Sequence, residues 1–305
     1  MKKLSNYIIV LAIVLECAVF ALLAPSFLSF DNLVNVALSL AVIGILSVGM
    51  TFIILTGGID LSIGSVVALA GVCAAMTTVK TDSVLLGFAA AIAVGLLFGV
   101  FNGTFVAYFK VPSFVVTLAV LTIARGLAFI LAEGRSIGNL SENFAWLGKT
   151  ALLGIPLSVL LMLATFVLGW FLLGYTTFGR YIYAVGGNAE ASFLAGVNVR
   201  GVTFWVYVFN GLLVGIAAIV LASRLGAGVP NSGLQYELDV IAAVVVGGTS
   251  LAGGRGSVIT TLLGAIFIGV LNNGLNLRGT DPYLQKIWLG AVILVAVLFD
   301  RRGGK

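Results

Sequence analysis

The chain has no histidine. That absence removes imidazole acid–base catalysis and the commonest metal ligand. It has two cysteines, Cys17 and Cys73, each inside an apolar run and far apart in sequence. They read as small buried hydrophobes, and a disulfide between them is not expected. Charge is scarce: only 9% of the residues are Asp, Glu, Lys or Arg, against about 25% in an ordinary soluble domain. No run of Lys or Arg is longer than two, so a basic surface for nucleic acid has no support. Proline occurs five times.

What is abundant is apolar. Of the 305 residues 61% are hydrophobic, and the mean hydropathy is +1.20. A bilayer-crossing helix needs about 20 consecutive apolar residues, and several such runs follow one another. The fold class expected is an all-α polytopic membrane protein with about ten transmembrane helices, several broken by glycine, as a single domain over residues 1–305. The 39 glycines suit close approach of membrane helices.

The expected spans are 7–24, 33–56, 61–79, 84–109, 113–132, 152–174, 203–222, 240–251, 257–277 and 285–299. The first follows Lys2 and Lys3 and is read as a retained helix, because no cleavage site follows it. Ten spans put both termini on one side. Counted over the loops, Lys and Arg favour the terminal side nine to six, which makes that side cytoplasmic.

Charged and amide groups inside spans are expensive and therefore informative. Asp60 follows the helix break Gly57–Gly58 and reads either as a charge on a transport path or as a helix cap. Arg125 lies two-thirds of the way along its span, and either snorkels to the far surface or lines an aqueous cavity. Asn102 lies beside Gly95, Gly99 and Gly103, whose four-residue spacing makes a face for close helix packing. Asn272 and Asn276 share a helix face, where amides either bind a hydroxylated solute or join two helices. Gly148-Lys149-Thr150 resembles the tail of a phosphate loop, but position 143 is Asn and no strand precedes it, so nucleotide binding is rejected.

The stretch 179–200, GRYIYAVGGNAEASFLAGVNVR, is too polar and Gly-rich to cross lipid. Gly186 and Gly187 give a turn, Asn188 suits an N-cap, and Glu190 falls in the first helical turn. A short helix is expected from Ala189 to Ala195, with Gly196 closing it and Phe193 and Leu194 offered outward. It is either a connecting loop or the place where a partner protein pushes. A shorter echo links 57–67, GGIDLSIGSVV, with 247–259, GGTSLAGGRGSVI; transporters are often built from internal repeats.

Three stretches carry a family resemblance: ILTGGIDLSIGSVVALAGV at 54–72, FGRYIYAVGGNAEASFLAGVNV at 178–199 and VVGGTSLAGGRGSVITTLLGAIFIGVLNNGLNL at 245–277. With them the chain resembles, over essentially its whole length, the permease subunit of a bacterial ABC importer for monosaccharides of the ribose/xylose/galactose branch. The resemblance implies a bacterial inner-membrane permease passing ribose or a similar sugar. It also implies a cytosolic ATPase partner that binds ATP and Mg, a periplasmic or lipid-anchored sugar-binding protein, and a second permease copy, of like kind in preference to unlike. It implies no catalysis and no cofactor in this chain.

The stretch with Arg180, Gly186, Gly187, Asn188, Glu190, Phe193, Leu194 and Gly196 then resembles the ATPase-coupling segment. Glu190, Ala191 and Gly196 fit the E-A-A-x-x-x-G spacing of ABC permeases, with Ser192 in place of the second Ala. The downstream I-x-L-P of that motif is absent, with Val206, Val208 and Phe209 in its place. Asp60, Asn102, Arg125, Asn272 and Asn276 are the candidate path residues. The alternative is an ion-coupled secondary transporter, for which Asp60, Glu16 and Arg125 would be the only ligands in the spans.

Overall fold

The computed structural model describes residues 2–138 and 140–302, and the side chains of 2–8 and 299–302 are outside that description. The closing Lys305, and the side chains of Lys2, Lys3, Arg301 and Arg302 used in the charge count, therefore lie outside the described residues.

Helices dominate the chain. In order they are α1 (Lys2–Leu23), α2 (Phe30–Leu55), α3 (Ile63–Thr81), α4 (Val84–Ala107), α5 (Ser113–Leu131), α6 (Glu142–Lys149), α7 (Leu157–Tyr175), α8 (Thr177–Gly187), α9 (Ala189–Leu194), α10 (Val199–Leu225), α11 (Tyr236–Val246), α12 (Val258–Leu277) and α13 (Pro282–Arg302). Between α6 and α7 a small antiparallel hairpin pairs β1 (Ala151–Leu152) with β2 (Ile155–Pro156).

Among the described residues seven helices, α2, α3, α4, α5, α7, α10 and α12, are long and apolar enough to cross a membrane, and the described side chains of α1 and α13 add the apolar stretches Ile9–Leu23 and Pro282–Leu298. Of the ten expected spans, the one at 240–251 is corrected by the structure. There the chain forms α11, which has 11 residues and rises only about 16 Å. Glu237 and Asp239 bound the apolar run on one side and Gly247–Gly248 on the other, so it makes half a span.

Helix α2 is at the centre, with 83% of its apolar window buried, whereas α4 has 22% and lies at the rim. A helix buried all round must be apolar all round, and α2 is apolar along its length beyond Asn35 apart from Ser39, Ser47 and Thr51. Ser47 and Thr51 turn their hydroxyls to carbonyls four residues back, at 2.7 Å each, which satisfies them inside the helix. Thr51 also meets Thr261 of α12 at 2.9 Å. Asn32 and Asn273 exchange amide hydrogen bonds of 3.0 and 2.9 Å between α2 and α12.

The Gly95, Gly99 and Gly103 face of α4 packs on α10. A Cβ on Gly99 would stand 2.7 Å from the Tyr207 carbonyl oxygen and 3.0 Å from Gly211 Cα. One on Gly103 would stand 2.9 Å from the Phe204 carbonyl oxygen, and one on Gly95 2.7 Å from Gly215 N. Only glycine lets the two backbones touch in this way.

Candidate functional site

The segment after α7 forms two helices. Thr176 caps α8, accepting from Gly179 N at 3.2 Å. Asn188 caps α9, accepting from Ala191 N at 2.9 Å. α9 ends at Leu194 with Ala195 as its C-cap, and Gly196 follows at φ +84°, a left-handed conformation glycine adopts without strain. Arg180, Gly187, Asn188 and Glu190 are exposed. Phe193 and Leu194 are 69% and 79% exposed, two large apolar side chains held out on one short helix.

The expected turn at Gly186–Gly187 is corrected by the structure: both residues are the last turn of α8. A Cβ on Gly186 would overlap the Leu55 carbonyl oxygen and stand 2.6 Å from Gly254 N. The glycine is there for contact and not for bending. Gly254 N donates to Leu55 O at 2.9 Å. A Cβ on Gly253 would stand 2.8 Å from the Gly186 carbonyl oxygen and 3.1 Å from Gly57 N. The end of α8 is therefore wedged where the break after α2 meets the break between α11 and α12. The two segments that echo each other in sequence come together beneath it. Tyr183 adds a tie, donating to Gly256 O at 3.0 Å. Burial pushes the Tyr183 phenol above its usual range, so it stays a donor.

The candidate path residues do not form one cluster. Asp60 and Asn102 do come together, in a buried knot joined by Asn210 of α10. Asp60 Oδ1 accepts from Ser62 N at 2.8 Å and from Ser62 Oγ at 2.6 Å. Its Oδ2 accepts from Asn210 Nδ2 at 2.9 Å and more weakly from Asn102 Nδ2 at 3.5 Å. Asn102 Nδ2 also donates to Ser62 Oγ at 3.1 Å. Beside it, Ile59 N donates to Ser113 Oγ at 3.1 Å, and Thr117 Oγ1 donates to Ile59 O at 3.3 Å. The non-helical backbone ahead of α3 is thereby satisfied by α5, as membrane depth requires. Asn210 was not singled out from sequence. Its signal is that of a lone amide within an apolar span, which needs a partner on another helix.

Arg125 is half-buried. Its guanidinium donates through Nη1 to Pro230 O and Ser232 O, both at 2.8 Å. Asn272 faces the carboxylate of Asp239 on α11. Asn276 accepts from Gln285 Nε2 of α13 at 2.8 Å. Among the described residues no group of three His, Cys, Asp or Glu is placed to hold a metal ion.

The family described as "branched-chain amino acid transport system / permease component" matches residues 32–297. The chain belongs to that permease family. Among similar proteins is the ribose import permease of Escherichia coli K12, 43% identical over 296 residues, which is 96% of this chain and 92% of the relative. The ribose import permease of Bacillus subtilis is 41% identical over 304 residues, 99% of this chain and 94% of the relative. An L-arabinose ABC transporter permease of Azospirillum brasilense is 38% identical over 293 residues, 96% and 86% of the two chains. No solved structure matches. The permease is thus a multi-pass membrane component of a transport system and not itself an enzyme; it carries no cofactor of its own, and ATP hydrolysis belongs to a separate subunit.

Proposed function

We propose that this chain is the membrane permease of an ABC importer for ribose or a closely similar aldopentose. In this reading it lies in a bacterial inner membrane as a single permease domain over residues 1–305, pairs with a second like copy, and has both termini in the cytoplasm. A separate ATPase docks on its inner face, and a periplasmic or lipid-anchored binding protein delivers the sugar. Relatives named for ribose and for arabinose support a pentose. The observation that carries the coupling role is the α8–α9 pair: Phe193 and Leu194 exposed at one end, and Gly186 seated against Leu55 and Gly254 at the other.

Closure of the ATPase subunits on ATP pushes α9. The push passes along α8 into the contact with Leu55, Gly57, Gly253 and Gly254, and so reaches both broken segments at once. Apolar side chains on α9 are what a groove in the ATPase would grip. Arg180 and Glu190 set the charge around that grip.

The test is uptake of labelled ribose and arabinose by proteoliposomes holding the permease, its ATPase and its binding protein. Uptake requires ATP, and the double substitution Phe193→Asp with Leu194→Asp abolishes it while the permease still folds and inserts. Uptake that continues without ATP and stops when the ion gradient is collapsed would instead establish an ion-coupled carrier.

A further inference from the structure

α2 begins at the end of the molecule away from α9, since its last residue, Leu55, meets the end of α8. There α6 and the β1–β2 hairpin lean against its first turns and leave a notch of about 320 Å³. One wall is a face of α2: Phe30, Val34 and Leu38 follow one another at four-residue spacing, with Asp31 and Asn35 in the row beside them. The other wall is Gly148, Ala151 and Gly154, with Lys149 as its charged side chain. That wall is fixed. Phe144 of α6 is fully buried, its ring 5.5 Å from that of Phe88 on α4. A Cβ on Gly148 would stand 2.6 Å from Arg224 Cα, so α6 ends against the end of α10. Leu157 N donates to Thr150 O at 2.9 Å and closes the hairpin.

Asp31 lies in the first turn of α2 and Lys149 in the last turn of α6, where the helix dipoles favour each. Both are exposed, and among the described residues neither forms an ion pair. The notch thus offers a carboxylate and an ammonium across a gap over an apolar floor. As a charge, Asp31 stays in the headgroup layer, roughly 5–8 Å thick. Leu38, seven residues on and about 10 Å further along the axis, reaches the acyl chains. The rim is apolar: Leu152, Leu153 and Ile155 are 59%, 95% and 44% exposed, and Phe30 is 72% exposed. Leu153 is at φ +53° and Gly154 at φ +82°, a hairpin turn that asparagine or glycine makes with less strain than leucine. A strained, bare leucine gains nothing within this chain, so its contact lies outside it. Water is a poor cover for this rim. A protein docked from outside would meet the tip but not the floor at Leu38. A phospholipid meets both.

We propose that the notch between α2, α6 and the hairpin binds a phosphatidylethanolamine. Its ammonium donates to Asp31 and its phosphate accepts from Lys149. One acyl chain follows Phe30, Val34 and Leu38, and Leu153 dips beside it into the same leaflet. Phosphatidylcholine carries the same charges but has no N–H to give Asp31, and phosphatidylglycerol lacks the cation. The site goes beyond solute import and does not depend on which solute the permease carries.

The test measures lipid retained by the purified full-length permease, by native mass spectrometry after extraction from vesicles of equal parts phosphatidylethanolamine, phosphatidylcholine and phosphatidylglycerol. The parent keeps phosphatidylethanolamine over phosphatidylcholine about tenfold, the factor that one charge-assisted hydrogen bond supplies. Asp31→Ala brings that ratio to near one. Lys149→Ala and Leu153→Asp lower retention of all three lipids. Lys80→Ala, at an exposed lysine in the last turn of α3, changes neither ratio nor amount. Equal retention of the three lipids by the parent overturns the proposal without any variant, whether or not ATP drives uptake. Asp31→Ala with the tenfold preference intact places the lipid elsewhere and overturns the site. Leu153→Asp with lipid retention intact and docking of the sugar-binding protein lost gives the tip to that protein and overturns its lipid contact.

Discussion

Asp60 ties three elements together, accepting from Ser62 at the N-cap of α3, from Asn102 of α4 and from Asn210 of α10. Removing its carboxylate takes the acceptor from buried donors on Ser62 and Asn210 and one of two acceptors from Asn102. A buried network broken at one member costs of order 3 kcal/mol. Asp60→Ala therefore lowers the melting temperature of the detergent-purified permease by several degrees, whereas Asp60→Asn, which still accepts, loses less; a thermal-shift series measures both. The same logic at glycine gives a contrast. Gly95→Val drives side-chain atoms into the α10 backbone and prevents folded permease from accumulating. Gly126→Ala, whose added Cβ would meet nothing within 4 Å, leaves expression and uptake at the parental level. A fluorescence-detected size-exclusion profile separates the two.

At the scale of elements, legibility followed periodicity and failed where a residue had two uses. The helix Ala189–Leu194 and its Asn188 cap were readable because cap chemistry is local: a side-chain oxygen, two helical turns, then a glycine at positive φ. The turn expected at Gly186–Gly187 was misread because glycine serves both bending and close contact, and the sequence does not mark which. Its real neighbour, Leu55, is more than a hundred residues away. α11 was read as a full span since its apolar run is dense, while its depth depends on a loop held down by Arg125 from another helix. Arg125 itself was placed between two alternatives, and the structure adds its hold on the Pro230 and Ser232 carbonyls, which no local pattern announces. Gly186→Leu tests the element directly. It parts α8 from Leu55 and Gly254, so ATPase subunits still co-purify with the permease but ATP no longer drives uptake; pull-down and uptake on the same preparation give the two readings.

At the scale of the whole molecule, the buried helices α2, α3 and α10 form the centre and α4, α5, α7 and α12 the wall. Membership of the permease family was readable across the chain because its motifs fall where helices break, at 57–62, 186–196 and 247–257, and the fold brings those breaks to one end. The span count was less readable, since hydropathy measures apolar length and does not separate a crossing helix from one that starts halfway.

The contact between α4 and α10 has a consequence for how the molecule can move. Backbones that meet over Gly95, Gly99, Gly103 and Gly211 have no flexible side chains between them to absorb a slip. Sliding by one residue would bring a Cβ against a carbonyl. The two helices therefore form a single strut that tilts as a unit, and the flexing during a transport cycle is left to the jointed glycine segments around it.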